Sequence, residues 1–352
     1  MMFSRIAPVQ HDTIEGVPEP CEHPHLVGHQ VAADLLASSF RAGRLHHALL
    51  LAGPTGIGKA TFAFRLAWHL LNFRDPANAP DRLVLPDPDS PLFRSIAQNA
   101  HPSLLHLTRP ANDRTKGFKT VITVDEIRRL GRFLSMTAHD GGYRVVIVDP
   151  VDDLNASAAN ALLKGLEEPP ARTVFVLIAH SPGRLLPTIR SRCQTLRLHR
   201  LDDGEVFDVL ARLGLSAPRD EAARAELARR AAGSVRAAIL LTEYGGLEIA
   251  AAVDSVLDAP GFDPAAAMRI ADAVSGREQS IQFDLFNEHL LTALSERATR
   301  AAREGAPGVA DMLAASWSEV RQAVAETDTF NLDKRQHVLG RLMHAHRALQ
   351  GA

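Results

Sequence analysis

The chain has 352 residues, a formal net charge of −2 and a hydrophobic share of 46%. This length predicts two or three domains, and the nearly neutral charge argues against a free-standing nucleic-acid binder, so any DNA contact should be local or shared with partners. Its two cysteines, Cys21 and Cys193, exclude a disulfide framework, and its apolar runs are too short to span a bilayer, so we expect a cytoplasmic protein without membrane contact.

Strand and helix patterns alternate over residues 23–200. Residues 1–22 are polar and contain proline, which predicts a loose N-terminal lead-in. The elements predicted after it are a helix at 28–41, a strand at 48–52, a helix at 59–71, a loop at 74–92, strands at 104–107, 144–148, 173–179 and 196–198, and helices that open at Thr123 and Asn155. This alternation predicts an α/β core with a mostly parallel sheet covered on both faces.

Only helices are predicted after about residue 200. Pro218 and the Gly233-Ser234 pair interrupt the first part of this region. The pattern predicts a small helical domain at 201–244, followed by a helical C-terminal domain at 245–352.

A glycine-rich loop lies between the first predicted strand and the second helix. The run Gly53-Pro-Thr55-Gly56-Ile-Gly58-Lys59 has the composition and the strand-to-helix context of a P-loop. The glycines let backbone amides turn towards phosphate oxygens, the helix N-terminus adds a positive dipole and the lysine adds a mobile charge. The pattern predicts phosphate binding, and a glycine-rich turn without a ligand is the alternative.

Two positions depart from a hydrolytic P-loop site. Ala60 stands where a Ser or Thr hydroxyl normally binds Mg²⁺, and Thr61 lies about 100° further round the helix. Asp149 ends a predicted strand, where an acid can hold the Mg²⁺ shell, although an aspartate in an ordinary turn is the alternative. Pro150, beside it, can neither orient nor activate water. The two losses predict a site without efficient hydrolysis.

Two arginines are candidates for contact with an anion. Arg192 lies between two predicted strands, where an arginine can reach a phosphate in a neighbouring subunit. A solvated pair with Arg190 is the alternative. Arg236 lies in the first turn of a predicted helix, where its charge opposes the helix dipole and weakly favours an anionic partner.

These features together resemble the clamp loader of bacterial DNA polymerase III, a branch of the AAA+ ATPases. The resemblance covers about residues 27–236 and is most specific in residues 47–51, 158–170 and 185–194. It implies an AAA+ P-loop core at 23–200, a small helical lid domain at 201–244 and an all-α collar domain at 245–352. The missing hydrolytic parts favour the delta-prime branch of this family over the motor subunits.

The resemblance also assigns roles to matching positions. The loop Gly53–Lys59 matches the Walker A motif and Asp149 matches the Walker B aspartate, while Pro150 stands in place of the catalytic glutamate. Arg192 matches an arginine finger that acts in the ATP site of a neighbouring subunit. Arg236 matches the sensor 2 arginine.

No metal cofactor is expected. Related subunits often carry a four-cysteine zinc module after the P-loop helix, whereas residues 74–103 contain no cysteine and one histidine, His101. His180 and Ser181 fall near the sensor 1 position, where Thr or Asn is usual. The lysine and the amide cradle leave open the weak binding of ATP or ADP without hydrolysis.

The resemblance implies a component of the DNA polymerase III complex that does not hydrolyse ATP by itself. Such a subunit would join motor gamma or tau subunits and a delta subunit in a heteropentameric ring, donate Arg192 to a neighbour and help to load the sliding clamp on primed DNA during replication. One alternative is a P-loop ATPase or nucleotide kinase that acts alone. Another is a DNA-binding remodeller of the helicase-loader type, which would need a basic surface.

Overall fold

The computed structural model describes residues 5–112, 117–135 and 141–350. Within these residues the chain forms two compact units. The first unit extends to Ala217 and includes Ala231–Arg236, and the second unit consists of Pro218–Arg230 and the residues from Ala237 onward. The predicted lid at 201–244 contributes to both units, and its boundaries remain predictions.

The first unit is built on a parallel sheet of five strands. They are β1 (Ala48–Ala52), β2 (Leu104–Leu107), β3 (Arg144–Val148), β4 (Thr173–Ala179) and β5 (Gln194–Arg197). Their order in the sheet is β2-β3-β4-β1-β5, and every neighbouring pair is parallel. The predicted α/β core with a parallel sheet is therefore confirmed.

Helices cover both faces of this sheet. The helices of the first unit are α1 (Gln30–Arg41), α2 (Lys59–Asn72), α3 (Pro91–Ala97), α4 (Val124–Ser135), α5 (Ala156–Glu167), α6 (Pro187–Arg190) and α7 (Asp203–Arg212). Leu49 and Leu51 of β1 pack in the core shared with α1, α2 and α3. Leu50 points the other way, into the core shared with α4, α5 and α6. Strands buried on both faces carry continuous apolar runs, which is why β1 is an unbroken run.

The described chain beyond residue 200 contains helices and no strand, as the sequence predicts. After α7 these helices are α8 (Glu221–Ala231), α9 (Val235–Glu243), α10 (Gly246–Leu257), α11 (Pro264–Val274), α12 (Ser280–Arg303), α13 (Pro307–Phe330) and α14 (Lys334–Gln350). The second unit has its own apolar core, in which Val253, Phe286 and Leu342 are fully buried. The all-α character of the C-terminal region is therefore confirmed.

Residues 5–22 are not the loose lead-in that the sequence predicts. Ala7 and Ile14 are buried. The Glu22 carboxylate accepts hydrogen bonds from the backbone amides of Ile6 and Ala7 at 2.6 and 3.1 Å. Hydrogen bonds between side chains and the backbone hold this segment, which forms no helix or strand. The sequence therefore has no periodic pattern that would predict its ordered structure. Residues 1–4 of the predicted lead-in lie outside the described residues.

Candidate functional site

The P-loop connects the end of β1 to the start of α2, where the sequence places it. Gly56 and Gly58 adopt φ angles of 77° and 92°, in the left-handed region that favours glycine. A side chain at Gly56 would lie 2.2 Å from the Ser234 hydroxyl oxygen and 2.7 Å from Cβ of Arg236. The Gly56 carbonyl accepts a hydrogen bond from the Val235 amide at 2.9 Å. The loop therefore packs directly against the residues that open α9.

The Lys59 ammonium is bound to its own loop. Lys59 is 3% exposed, and its Nζ donates hydrogen bonds to the carbonyl oxygens of Gly53, at 2.8 Å, and of Pro54. Burial lowers the pKa of Lys59 to about 8, against the opposing effect of the Asp149 and Asp152 carboxylates. Thr55, at the tip of the loop, is exposed. The cation predicted to bind phosphate is thus already hydrogen-bonded within the loop.

Asp149 lies at the carboxyl end of β3, and its amide donates to the Leu107 carbonyl at 2.9 Å. Burial raises the pKa of its carboxyl to about 7, the negative charge of Asp12 raises it further, and Lys59 opposes the shift. The surroundings of Asp149 therefore favour the neutral form of its carboxyl.

The acids after Asp149 have other partners. Pro150 is buried and has no group that could take a proton. The Asp152 carboxylate accepts the backbone amides of His180 and Ser181 at 2.6 and 2.9 Å, which ties this turn to the end of β4. The Asp153 carboxylate pairs with Arg109 at 2.5 Å. Neither acid replaces the missing glutamate.

Neither Ala60 nor Pro150 has a side-chain oxygen that could bind Mg²⁺ or activate water. Mg²⁺ needs oxygen ligands in near-ideal octahedral geometry, and Ala60 has none to offer. No group of three or more His, Cys, Asp or Glu side chains among the described residues is arranged to hold a metal ion. Both cysteines are free thiols, and burial raises the pKa of Cys21 to about 12 and of Cys193 to about 11. The His101 Nδ1 accepts the Ser103 amide at 3.2 Å.

Arg236 lies beside the P-loop, and its backbone amide points to the Gly56 carbonyl at 3.4 Å. Its guanidinium donates to the backbone carbonyl of Asp12 and lies 3.9 Å from the Asp12 carboxylate. Asp12 belongs to the N-terminal segment that the sequence predicts to be loose. No sequence signal identifies this contact, because a backbone carbonyl is the acceptor and any residue could supply it.

Arg192 has a separate environment from the P-loop. Its guanidinium pairs with the Glu167 carboxylate at 2.5 Å and donates to the Thr188 carbonyl at 2.9 Å. Glu167 is the last residue of α5, and Thr188 lies in α6. The Arg192 side chain is 34% exposed. The structure therefore brings Gly53–Lys59, Asp149 and Arg236 to one region and gives Arg192 a different set of partners, at the surface.

Comparisons with known proteins show similarity to DNA polymerase III subunits. A family model described as "DNA polymerase III, delta subunit" matches residues 28–202. A DNA polymerase III delta-prime subunit from Pseudomonas aeruginosa is 41% identical over 147 residues, which are 42% of this chain and 41% of that protein. The delta-prime subunit of Escherichia coli is 36% identical over 166 residues, 47% of this chain and 45% of that protein. Over part of its length, the chain is therefore similar to DNA polymerase III delta-prime subunits.

The similarity extends to other DNA polymerase III subunits. A gamma subunit from Buchnera aphidicola is 30% identical over 227 residues, 64% of this chain and 58% of that protein. The chain thus spans between 41% and 58% of the length of these three curated relatives. Among solved structures, a DNA polymerase III gamma subunit-related protein from Thermotoga maritima has a TM-score of 0.42 at 16% identity, and the match covers 90% of this chain and 99% of that one. No helix among the described residues is long and apolar enough to cross a membrane.

The contact at Gly56 predicts a specific stability difference between two glycine substitutions. We expect Gly56→Ala to lower the free energy of unfolding by roughly 2–3 kcal/mol, because the new methyl group meets Ser234 and Arg236 in a left-handed backbone conformation. Gly43→Ala is the matched control, since Gly43 has a φ of 65° and open space around its Cα. It should cost about 1 kcal/mol. Urea unfolding of both variants measures the difference, and equal losses would contradict the close contact.

The raised pKa of Asp149 predicts a pH-dependent effect of removing its charge. The folded state keeps the proton up to about pH 7, against an ordinary pKa of 3.8, so the unfolded state binds fewer protons and ionisation destabilises the fold as pH rises. Asp149→Asn should therefore stabilise the chain more at pH 8 than at pH 5, by roughly 2–3 kcal/mol. Urea unfolding at the two pH values tests this, and a gain independent of pH would argue against a buried, protonated carboxyl.

Proposed function

We propose that this chain is a clamp-loader subunit of DNA polymerase III that does not hydrolyse ATP in its own P-loop site and that supplies Arg192 to the ATP site of a neighbouring subunit. Similarity to DNA polymerase III subunits supports the clamp-loader part of the proposal. The observation that carries the loss of hydrolysis is the chemistry of Ala60 and Pro150, which replace a metal ligand and a water-activating acid. A P-loop site without both groups can still hold phosphate but lacks the means to cleave it.

The surroundings of these two positions support the loss of hydrolysis. Lys59 is hydrogen-bonded to carbonyls of its own loop, and Asp149 has a pKa raised to about 7. Asp152 and Asp153 are bonded to other parts of the first unit. Weak binding of ATP or ADP without hydrolysis fits this set of groups, and a bound Mg²⁺ does not.

The environment of Arg192 supports a role outside this chain's own site. Its ion pair with Glu167 is partly exposed, and such pairs contribute only about 0–1 kcal/mol to stability. Exchanging Glu167 for a phosphate of a neighbouring subunit therefore costs little. The planar guanidinium suits a phosphate, because it can donate two parallel hydrogen bonds.

The proposal includes partners that the family resemblance supplies. Motor gamma or tau subunits and a delta subunit would complete a heteropentameric ring, with residues 245–352 as a collar that holds the subunits together. The ring would act in the cytoplasm, load the sliding clamp on primed DNA during replication and form part of a DNA-directed DNA polymerase complex. The chain would reach clamp and DNA through this complex.

A P-loop ATPase or nucleotide kinase that acts alone is the other hypothesis that the sequence raises. It depends on the Gly53–Lys59 loop and is opposed by Ala60 and Pro150. We expect the isolated chain to hydrolyse ATP no faster than its Lys59→Ala variant, because both lack the metal hydroxyl and the catalytic acid. Phosphate release by the two purified proteins tests this expectation. Robust turnover that Lys59→Ala abolishes would contradict the proposed function.

The arginine-finger role predicts an effect in the assembled complex only. Arg192→Ala should leave the complex assembled and lower the ATP hydrolysis rate at the neighbouring site by about 10³-fold, the effect of a finger in related NTPases. Single-turnover ATP hydrolysis by the reconstituted complex measures the loss, and gel filtration checks assembly.

The same motif offers a matched control. Arg190 is exposed and makes no ion pair among the residues that the structure describes, so Arg190→Ala removes the same charge two positions away. It should leave the hydrolysis rate unchanged. Equal rates for Arg190→Ala and Arg192→Ala would refute the finger role.

A further inference from the structure

The N-terminal segment folds into a closed loop through one arginine. We name residues 5–22 the N-terminal strap. The Arg5 guanidinium pairs with the Glu19 carboxylate and donates to the carbonyl oxygens of Ile14 and Val17, both at 2.7 Å. The Thr13 hydroxyl donates to the same Glu19 carboxylate at 2.5 Å. Arg5 therefore joins the beginning of the strap to its middle and its end.

A second carboxylate closes the strap at its other end. Glu22 accepts the backbone amides of Ile6, Ala7 and Glu19 at 2.6, 3.1 and 2.9 Å. These bonds satisfy backbone groups that would otherwise have no partner in a segment without helix or strand. The strap thus has a fixed shape that depends on two side chains, Arg5 and Glu22, which are both outside the predicted nucleotide site.

The middle of the strap lies on the predicted nucleotide site. The Asp12 carbonyl accepts a hydrogen bond from the Arg236 guanidinium. Arg236 follows Val235, whose amide contacts the P-loop at Gly56. The neighbouring His11 Nδ1 lies 3.4 Å from the Thr108 hydroxyl, just after β2. The strap therefore spans from Arg236 to the carboxyl end of the sheet, where β3 ends just before Asp149.

The strap lines a small cavity together with two residues of the predicted nucleotide site, Ala60 and Asp149. Pro8, Gln10 and Asp12 line one side of a cavity of about 40 Å³, and Ala60 and Asp149 line another. Sites for small-molecule ligands measure about 300–1,000 Å³. With the strap in place, this cavity beside Ala60 and Asp149 is too small for a phosphate chain.

The charge of the strap also opposes a phosphate. The Asp12 carboxylate lies close enough to raise the pKa of Asp149 and of Glu19. An anionic phosphate at the same place would experience this negative charge, while the guanidinium of Arg236 that could offset it is already bound to Asp12. Steric exclusion and like charge therefore act in the same direction.

We propose that the N-terminal strap is an autoinhibitory element that occupies the nucleotide site of this chain, and that a nucleoside di- or triphosphate binds only after the strap has moved away. Arg5 and Glu22 hold it closed. The apparent affinity for nucleotide is then the intrinsic affinity reduced by the fraction of molecules in which the strap is open. This inference rests on the P-loop as the nucleotide site of the proposed function and is independent of Arg192.

The test opens the strap without touching the site. Arg5→Ala removes the three contacts of Arg5, and Glu22→Ala removes the three backbone hydrogen bonds that Glu22 accepts. Their controls are Arg44→Ala and Glu15→Ala, since both of these exposed side chains lack a hydrogen-bond or ion-pair partner in the described part of the chain. Fluorescence titration with a labelled ADP in the absence of Mg²⁺ measures binding to each full-length variant. Thermal unfolding shows which variants keep the fold.

We expect Arg5→Ala and Glu22→Ala to bind ADP at least about tenfold more tightly than the unaltered chain and both controls, because the open fraction rises. Hydrogen exchange of the amides in residues 5–22 should be faster in these two variants, and faster in the unaltered chain when ADP is added. Equal affinities in all five proteins, or ADP binding that leaves the exchange of residues 5–22 unchanged, would overturn the proposal.

Hydrolysis separates this proposal from the proposed function. If Arg5→Ala binds nucleotide tightly and leaves it intact, both proposals are supported. If it binds tightly and hydrolyses ATP at rates that Lys59→Ala abolishes, the strap is supported and the non-hydrolysing function is refuted. Tight binding by the unaltered chain with the strap still protected refutes the strap alone.

Discussion

The close contact between the centre of the P-loop and the start of α9 determines the geometry of the candidate site. The Gly56 carbonyl accepts the Val235 amide, and the missing side chain of Gly56 leaves room for Ser234. Because Arg236 is the next residue, this backbone contact also sets its guanidinium beside the loop. From there Arg236 reaches the Asp12 carbonyl. One approach of two backbone segments therefore fixes the positions of the loop, Arg236 and the N-terminal strap.

Burial in this region moves both charged groups towards neutrality. The pKa of the Lys59 ammonium falls to about 8, and that of the Asp149 carboxyl rises to about 7. In each case burial is the largest cause, since a low-polarity environment disfavours the charged form. Both groups therefore carry less charge in this structure than an exposed lysine and aspartate would.

The elements that the sequence predicted well are those with a local or periodic signal. The apolar run of β1 and the glycines that follow it depend on neighbouring residues, so they predict a strand and a turn. Ala60 and Pro150 are departures from sequence motifs, and such departures are visible in the sequence because each motif position is compared separately. The strand predicted at 196–198 is β5 at Gln194–Arg197, an edge strand with one buried side chain, Leu196. Its weak apolar signal explains the shift.

The contacts that the sequence missed join residues far apart in the chain through groups that carry no pattern. Arg236 and Asp12 are 224 positions apart, and the acceptor is a backbone carbonyl. The strap has the composition of a loop, and its hydrogen bonds run from side chains to the backbone. Such bonds leave no sequence pattern, because many polar, proline-containing segments have the residues to form them and do not. The pairing of Arg192 with Glu167 is similar, since charge complementarity gives many candidate partners and only the packing of α5 beside α6 selects one.

Lys59 and Arg236 differ from Arg192 in the contacts that each would have to break to bind a phosphate. Lys59 is buried and would have to leave two carbonyls of its own loop, and Arg236 would have to release the strap. Arg192 would exchange one partly exposed carboxylate for another anion, which costs little because solvent already screens the pair. Under the proposed function, a phosphate of another subunit would therefore meet an accessible guanidinium just after α6. Burial makes phosphate binding more costly at Lys59 and Arg236 than at Arg192, which is why the proposal assigns the contact with a neighbour to Arg192.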